Sequence, residues 1–155
     1  MGSSRHHQAK WEYWAQRFHQ GDWESAFSGQ WLEALPQATA MTVAHGIAST
    51  APVLSPMAAC ATGLWAIAQG YELLQTQVCQ RVIVGAIEAP ITALTLGGFA
   101  QMGALAQTGA FPFDRNREGL VLGEGGSSFG SGNRDPRQPP SGSDLRTDSR
   151  VWSDQ

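Results

Sequence analysis

Trp11, Trp14 and Phe18 recur at i, i+3 and i+7, the spacing of one helical face. After the Gly21-Asp22 break, Trp23 and Phe27 repeat at i, i+4. Two short amphipathic helices follow, with aromatic faces that pack on another part of the protein. Pro36 suits a first helical turn, and Ala38, Met41, Ala44 and Ile47 share one face of a helix ending near Gly46. Val53 to Met57 reads as a short strand whose end is weakened by Pro56. From Ala61 to Gln77 the residues Leu64, Ile67, Ala68, Tyr71 and Leu74 form a continuous apolar stripe, the strongest helical signal in the chain. Arg81 to Ile87 is apolar and β-branched without alternation, as expected of a strand covered on both faces. Strand, helix and strand within about thirty residues make a βαβ pattern. Ala93 to Ala106 predicts partial helix, and Gly119 to Gly123 a returning strand.

Beyond Gly126 the pattern stops. In Ser127 to Gln155 the large apolar side chains are Phe129, Leu145, Val151 and Trp152. The reading is a layered α/β unit over residues 1–126 followed by a disordered tail over 127–155. The chain has 155 residues, about one domain by length. With 42% hydrophobic and 15% charged residues, its surface is low in charge, as in a protein made to be covered. Lys10 is the sole lysine and no arginine run exists, so nucleic acid is not an expected partner. No apolar run nears the roughly 18 residues of a membrane span, and no membrane association is expected. Cys60 and Cys79 are expected as free thiols in a reducing cytoplasm. Met1 to His7 superficially resembles a purification tag, but its passage into Gln8-Ala9-Lys10-Trp11 marks it as native sequence.

Cys60 lies between the predicted strand and the start of the strongest helix. Free N–H groups and the positive dipole end at a helix start favour a thiolate and an oxyanion formed beside it. Two roles fit that position: a nucleophile for thioester chemistry, or a small buried cysteine packing the junction. A Gly-x-Ser-x-Gly elbow is not present, since Ala58 and Thr62 occupy the glycine positions.

Several motifs stand in order: Ala59-Cys60-Ala61-Thr62-Gly63, Val84-Gly85-Ala86-Ile87-Glu88-Ala89, Gly97-Gly98-Phe99, and Phe113-Asp114-Arg115-Asn116-Arg117-Glu118-Gly119-Leu120-Val121-Leu122-Gly123-Glu124-Gly125. Over Ala44 to Gly126 the chain resembles the N-terminal half of a β-ketoacyl-[acyl carrier protein] synthase of the 3-oxoacyl synthase II type. The resemblance implies a partial thiolase-like α/β fold in a cytoplasmic protein, for the intact parent a homodimer. It implies acyl carrier protein, in acyl and malonyl forms, as partner, with no cofactor and no metal. Cys60 would take the acyl chain, its N–H serving as one of two oxyanion donors. Phe99 would line the acyl pocket, with ordinary core packing as the alternative. Glu88, Asp114, Arg117 and Glu124 also match family positions and are expected to be structural ion-pair or turn residues.

The departures carry equal weight. The family uses two histidines and a lysine after the cysteine, and no histidine or lysine follows Cys60. His45-Gly46 precedes the cysteine and matches the family's His-Gly-Thr element only by coincidence. The late Gly-Phe-Gly turn that gives the second oxyanion donor is missing, and Gly2-Ser3-Ser4 looks like the end of an internal strand. The chain is therefore expected to be cut at both ends. Where the family continues with Val-Leu-Glu, this chain has Gly130-Ser131-Gly132-Asn133. Codons GGU, UCU, GGA and AAC read one nucleotide later give valine, leucine, glutamate and threonine, so the tail is expected to be out-of-frame translation. The expected function is that of a synthase fragment without condensing activity. The alternatives are a non-catalytic interaction fragment and an unstable pseudogene product.

Overall fold

The computed structural model describes residues 1–26 and 30–132. The first helix, α1 (Gln8–His19), buries Trp14, whose ring meets Trp11 edge-on at 5.3 Å. Trp11 Nε1 donates to the Ala34 carbonyl at 3.3 Å. The helix stops at Gly21, whose φ of 83° suits only a residue without Cβ, and an Arg17–Asp22 ion pair at 3.2 Å closes the end. In α2 (Trp23–Ala26) the Trp23 ring packs on Phe18 at 4.3 Å. Phe27 lies outside the described residues. After a 3-10 turn at Gln30–Ala34 comes α3 (Ala38–Gly46). Its buried residue is Ala40, whereas Met41 and Ile47 are exposed, so the helix turns a different face inward from the predicted one.

The centre is α4 (Thr62–Gln75) packed on β1 (Arg81–Glu88). Here the buried face corrects the sequence reading. Thr62, Ala66, Gly70 and Leu74 are buried at four-residue spacing, so Leu74 alone of the expected stripe faces inward, while Leu64 (72% exposed), Ile67, Ala68 and Tyr71 point outward. Small residues let helix and strand approach closely: a Cβ on Gly70 would fall on Val84 Cγ1, and one on Gly63 would lie 3.6 Å from the Ala86 Cβ. The large apolar stripe cannot serve that contact because it would hold the two backbones apart.

β1 is covered only at its centre, where two adjacent residues on opposite faces are buried. Val84 and Gly85 are buried, but Ile83 and Ile87 are exposed. Along one edge Gly2 pairs in parallel with Ala86, through Gly2 N to the Gly85 carbonyl at 2.9 Å and Ile87 N to the Gly2 carbonyl at 3.0 Å. The opening segment thus makes a single bridge rather than the expected strand end. Along the other edge runs β2 (Gly125–Gly132), antiparallel, with Val84 opposite Phe129 and Glu88 opposite Gly125. Three further expectations change. Val53 to Met57 forms no strand, because Pro56 lacks the N–H a ladder needs, and the βαβ pattern is absent among the described residues. Gly119 to Gly123 gives a single bridge, Leu105 to Leu120, rather than a strand. Ser127 to Gly132, expected in the tail, are in β2, and the remaining positions of that expectation, from 133 on, lie outside the described residues. Main-chain pairing with β1 supplies what the glycine- and serine-rich sequence lacks.

The last helix, α5 (Ala93–Gln101), begins at Thr92, whose Oγ1 accepts from the Thr95 N–H at 3.3 Å. The buried apolar side chains are Trp14, Ala34, Ala40, Ala66, Leu74 and Val84, mostly small. The many exposed ones, among them Trp65, Met57 and Phe113, account for the low surface charge.

Candidate functional site

Cys60 sits in a 3-10 turn, Ala59–Ala61, that feeds directly into α4. Ala59 is forced to a positive φ of 47°, a left-handed conformation that an alanine adopts only when its surroundings impose it. Thr62 imposes it from inside the turn. Its Oγ1 accepts from the Ala58 N–H at 2.9 Å and donates to the Ala59 carbonyl at 2.7 Å, and the residue is buried. The Cys60 thiol is exposed and free. Its N–H donates to no acceptor among the described residues, as is usual for the first residues of a helix. An exposed sulfur beside an uncommitted N–H is an arrangement that can take up a carbonyl carbon and hold its oxygen.

Under this turn runs the opening segment. A Cβ on Gly2 would come within 2.6 Å of Thr62 Cγ2 and 2.7 Å of the Pro56 carbonyl, so only glycine passes there. Ser4 N–H then donates to Glu88 Oε1 at the end of β1. Three residues past Gly2, the Arg5 guanidinium lies 5.1 Å from the centre of the Phe99 ring. Phe99 is half-buried on α5. Cys60 and Phe99 therefore stand on separate elements, joined through Met1 to Arg5. A groove of about 660 Å³ on α3, lined by Leu32, Gln37, Ala38, Met41, Thr42 and His45, includes neither residue. Among the described residues no cluster of three or more His, Cys, Asp or Glu is placed to hold a metal.

The model of the beta-ketoacyl synthase N-terminal domain matches residues 1–129. The chain belongs to the β-ketoacyl synthase family. It is 37% identical over 100 residues to the 3-oxoacyl-[acyl-carrier-protein] synthase 2 of Mycobacterium bovis, covering 60% of this chain and 24% of that protein. The Staphylococcus aureus protein of the same name is 31% identical over 96 residues, 59% of this chain and 24% of that one. The chain thus spans about a quarter of the length of these curated relatives. Among solved structures, a type II polyketide ketosynthase in complex with its acyl-carrier protein superposes with a TM-score of 0.74 at 24% identity, over 83% of this chain and 34% of that one. A β-ketoacyl synthase from Burkholderia phymatum gives 0.67 at 23% identity, over 75% and 30%. The fold of this synthase segment is accordingly a partial thiolase-like α/β fold. No helix among the described residues is long and apolar enough to cross a membrane.

Of the remaining matched positions, Asp114 and Arg117 make a turn and Glu124 bridges to a distant segment. Asp114 Oδ1 accepts from the Asn116 N–H at 2.7 Å, Arg117 donates to the Asp114 carbonyl, and Glu124 accepts from the Ile91 N–H at 3.0 Å. Two carboxylates escaped the sequence reading because their partners are distant in sequence. Glu12 reaches Thr92 and Leu94. Glu118 clasps the loop ahead of it, accepting from the N–H groups of Gln107 and Thr108 at 2.8 and 2.9 Å and from the Thr108 hydroxyl at 2.7 Å.

The Thr108 hydroxyl, then the two N–H groups, hold the Glu118 carboxyl below its ordinary value of 4.5. With the folded value below the unfolded one, the clasp contributes fully above that ordinary value and is lost as pH falls through the folded value. Lowering the pH from about 6.5 to about 3.5 is therefore expected to reduce the protection of the Gln107 and Thr108 amides, measured by hydrogen–deuterium exchange as the rate relative to the intrinsic rate at each pH. Glu118→Gln should show lower protection at the upper pH and lose less of it on acidification; wild-type protection at these two amides that does not change with pH would contradict the clasp. His6 behaves in the same sense at a higher pH. Burial, then the neighbouring His7, keeps its imidazole below 6.5, so acidification through that value weakens the docking of the opening segment.

Proposed function

We propose that this chain is the acyl-accepting segment of a β-ketoacyl synthase, with Cys60 as its nucleophile. The observation that carries the reading is the exposed Cys60 thiol beside its own uncommitted N–H on the turn into α4. In the step, the Cys60 thiol gives its proton to solvent, the resulting thiolate attacks the carbonyl carbon of an acyl thioester, and the Cys60 N–H donates to the oxyanion. Collapse breaks the bond to the carrier's sulfur, which leaves as a thiolate and takes a proton from solvent. The donor is acyl carrier protein, in keeping with the solved ketosynthase whose partner is its acyl-carrier protein. Phe99 lines the acyl chain. The intact parent, a cytoplasmic homodimer, would go on to condense acyl-Cys60 with malonyl-carrier protein. This chain alone does not, because no histidine or lysine follows Cys60 to drive decarboxylation.

Incubation with an acyl-carrier protein thioester is expected to add the acyl mass to the Cys60 peptide. Adding malonyl-carrier protein should then yield no β-ketoacyl product. Product formation, or an acyl group found elsewhere than on Cys60, would overturn the proposal. A second reading, a non-catalytic segment that docks on another chain, draws on the exposed Leu64, Trp65 and Tyr71 of α4; an unchanged biological effect of Cys60→Ala would favour it. Out-of-frame translation as the origin of the tail is in keeping with a family match that ends at residue 129. Resequencing decides that point: a single base change restoring Val-Leu-Glu supports it.

A further inference from the structure

We propose that Arg5 and Glu12 are positioning residues that hold α5 from both ends and so set where the Phe99 ring stands. The inference rests on the reading of Phe99 as a wall of the acyl pocket.

Nothing intrinsic to α5 places it. It has nine residues, too few for stability on its own, and Gly97-Gly98 directly before Phe99 weakens it further, by about 1 kcal/mol for each glycine relative to alanine. Its buried residue is Thr95, while Leu94 and Leu96 are exposed. It does not share in the main packing of α4 on β1.

Two contacts from the opening segment and α1 supply the missing constraint. At the N-terminal end Glu12 accepts from the Thr92 hydroxyl, the capping side chain, and from the Leu94 N–H at 3.3 Å. A carboxylate there also suits the helix dipole. At the other end the Arg5 guanidinium stacks on Phe99 at 5.1 Å and forms no ion pair among the described residues. Both clamp points belong to a stretch anchored elsewhere, since Gly2 is paired with β1 and Ser4 is bonded to Glu88. The stretch that passes beneath the Cys60 turn thereby also fixes Phe99, which ties the nucleophile and the acyl wall to one piece of backbone.

The test compares rates of Cys60 alkylation by iodoacetamide and by N-dodecyl iodoacetamide, read by peptide mass, in the wild-type chain, Arg5→Ala, Arg5→Lys, Glu12→Gln and Phe99→Ala. Arg5→Ala and Glu12→Gln are expected to lower the long-to-short rate ratio about threefold to tenfold, the scale of one lost polar contact. The iodoacetamide rate itself should stay within about twofold, and Arg5→Lys should keep most of the ratio. Amide exchange in α5 should rise in both variants while α4 is unchanged. If Phe99→Ala lowers the ratio and the two clamp variants do not, the proposal is overturned and the reading of Phe99 stands. An unmoved ratio in Phe99→Ala overturns that reading, and the positioning claim with it.

Discussion

Gly85→Ala is expected to unfold the β1–β2 pairing and destabilise the chain by about 3 kcal/mol or more. A Cβ at Gly85 would fall on the Ser127 carbonyl oxygen and lie 2.8 Å from Ser128 Cα. Both atoms are main chain, so neither can rotate aside as a side-chain end could. Relief requires β2 to move off, which breaks the register that sets Gly85 opposite Ser128. Gly97→Ala and Gly98→Ala are the controls, because an added Cβ at either meets nothing within 4 Å. They lie in a helix interior, where alanine stabilises by up to about 1 kcal/mol relative to glycine. Urea unfolding followed by circular dichroism checks the contrast. Coincident midpoints for Gly85→Ala and the wild-type chain would refute the close approach.

Covalent capture of an octanoyl N-acetylcysteamine thioester is expected to vanish in Cys60→Ala and to be unchanged in Cys79→Ala. The two thiols differ in exposure, Cys60 being exposed and Cys79 half-buried. They differ more in what surrounds an oxyanion. Cys60 lies on the turn into α4 with its own N–H uncommitted, while the neighbouring N–H groups of Ala61 and Thr62 are taken by the Ala58 and Ala59 carbonyls. Cys79 follows the other end, its own N–H committed to the Leu73 carbonyl at 3.2 Å, among carbonyls that repel developing negative charge. A preorganised donor is worth on the order of a hundredfold in rate, so acylation should favour Cys60 by about that factor. Intact-mass and peptide-mass analysis measure it. Equal labelling of the two cysteines would remove the turn into α4 as the cause of reactivity.

Sequence periodicity located α1, α3, α4 and β1, because helical spacing and β-branched runs are local properties. It misjudged which side of α4 is buried. The stripe of Leu64, Ile67 and Tyr71 is the more apolar, yet β1 accepts only Ala66 and Gly70 at that distance. That choice depends on how closely two backbones approach, and local spacing carries no record of it. β2 was invisible for the opposite reason, since Gly125 to Gly132 has no pattern of its own and pairs because β1 offers an open edge. At the site, Cys60 was legible through its neighbours in sequence. Arg5 and Glu12 were not, since their partners Phe99 and Thr92 lie more than eighty residues away or close to it.

The β1–β2 pair has a consequence for how mutations will be tolerated over time. An added Cβ at Gly125 or Gly130 meets nothing within 4 Å and one at Gly126 or Gly132 has its nearest atom at 3.3 or 3.2 Å, whereas at Gly85 and, across the α4 contact, Gly70 it would come within 2.2 Å of another atom. Drift therefore falls unevenly on the two partners of one ladder. β2 can exchange bulky apolar residues for serine and glycine and still form, while substitutions at the constrained positions of β1 and α4 are purged. A saturation library scored for folding would show a permissive strand lying beside an intolerant one, though both make the same hydrogen bonds.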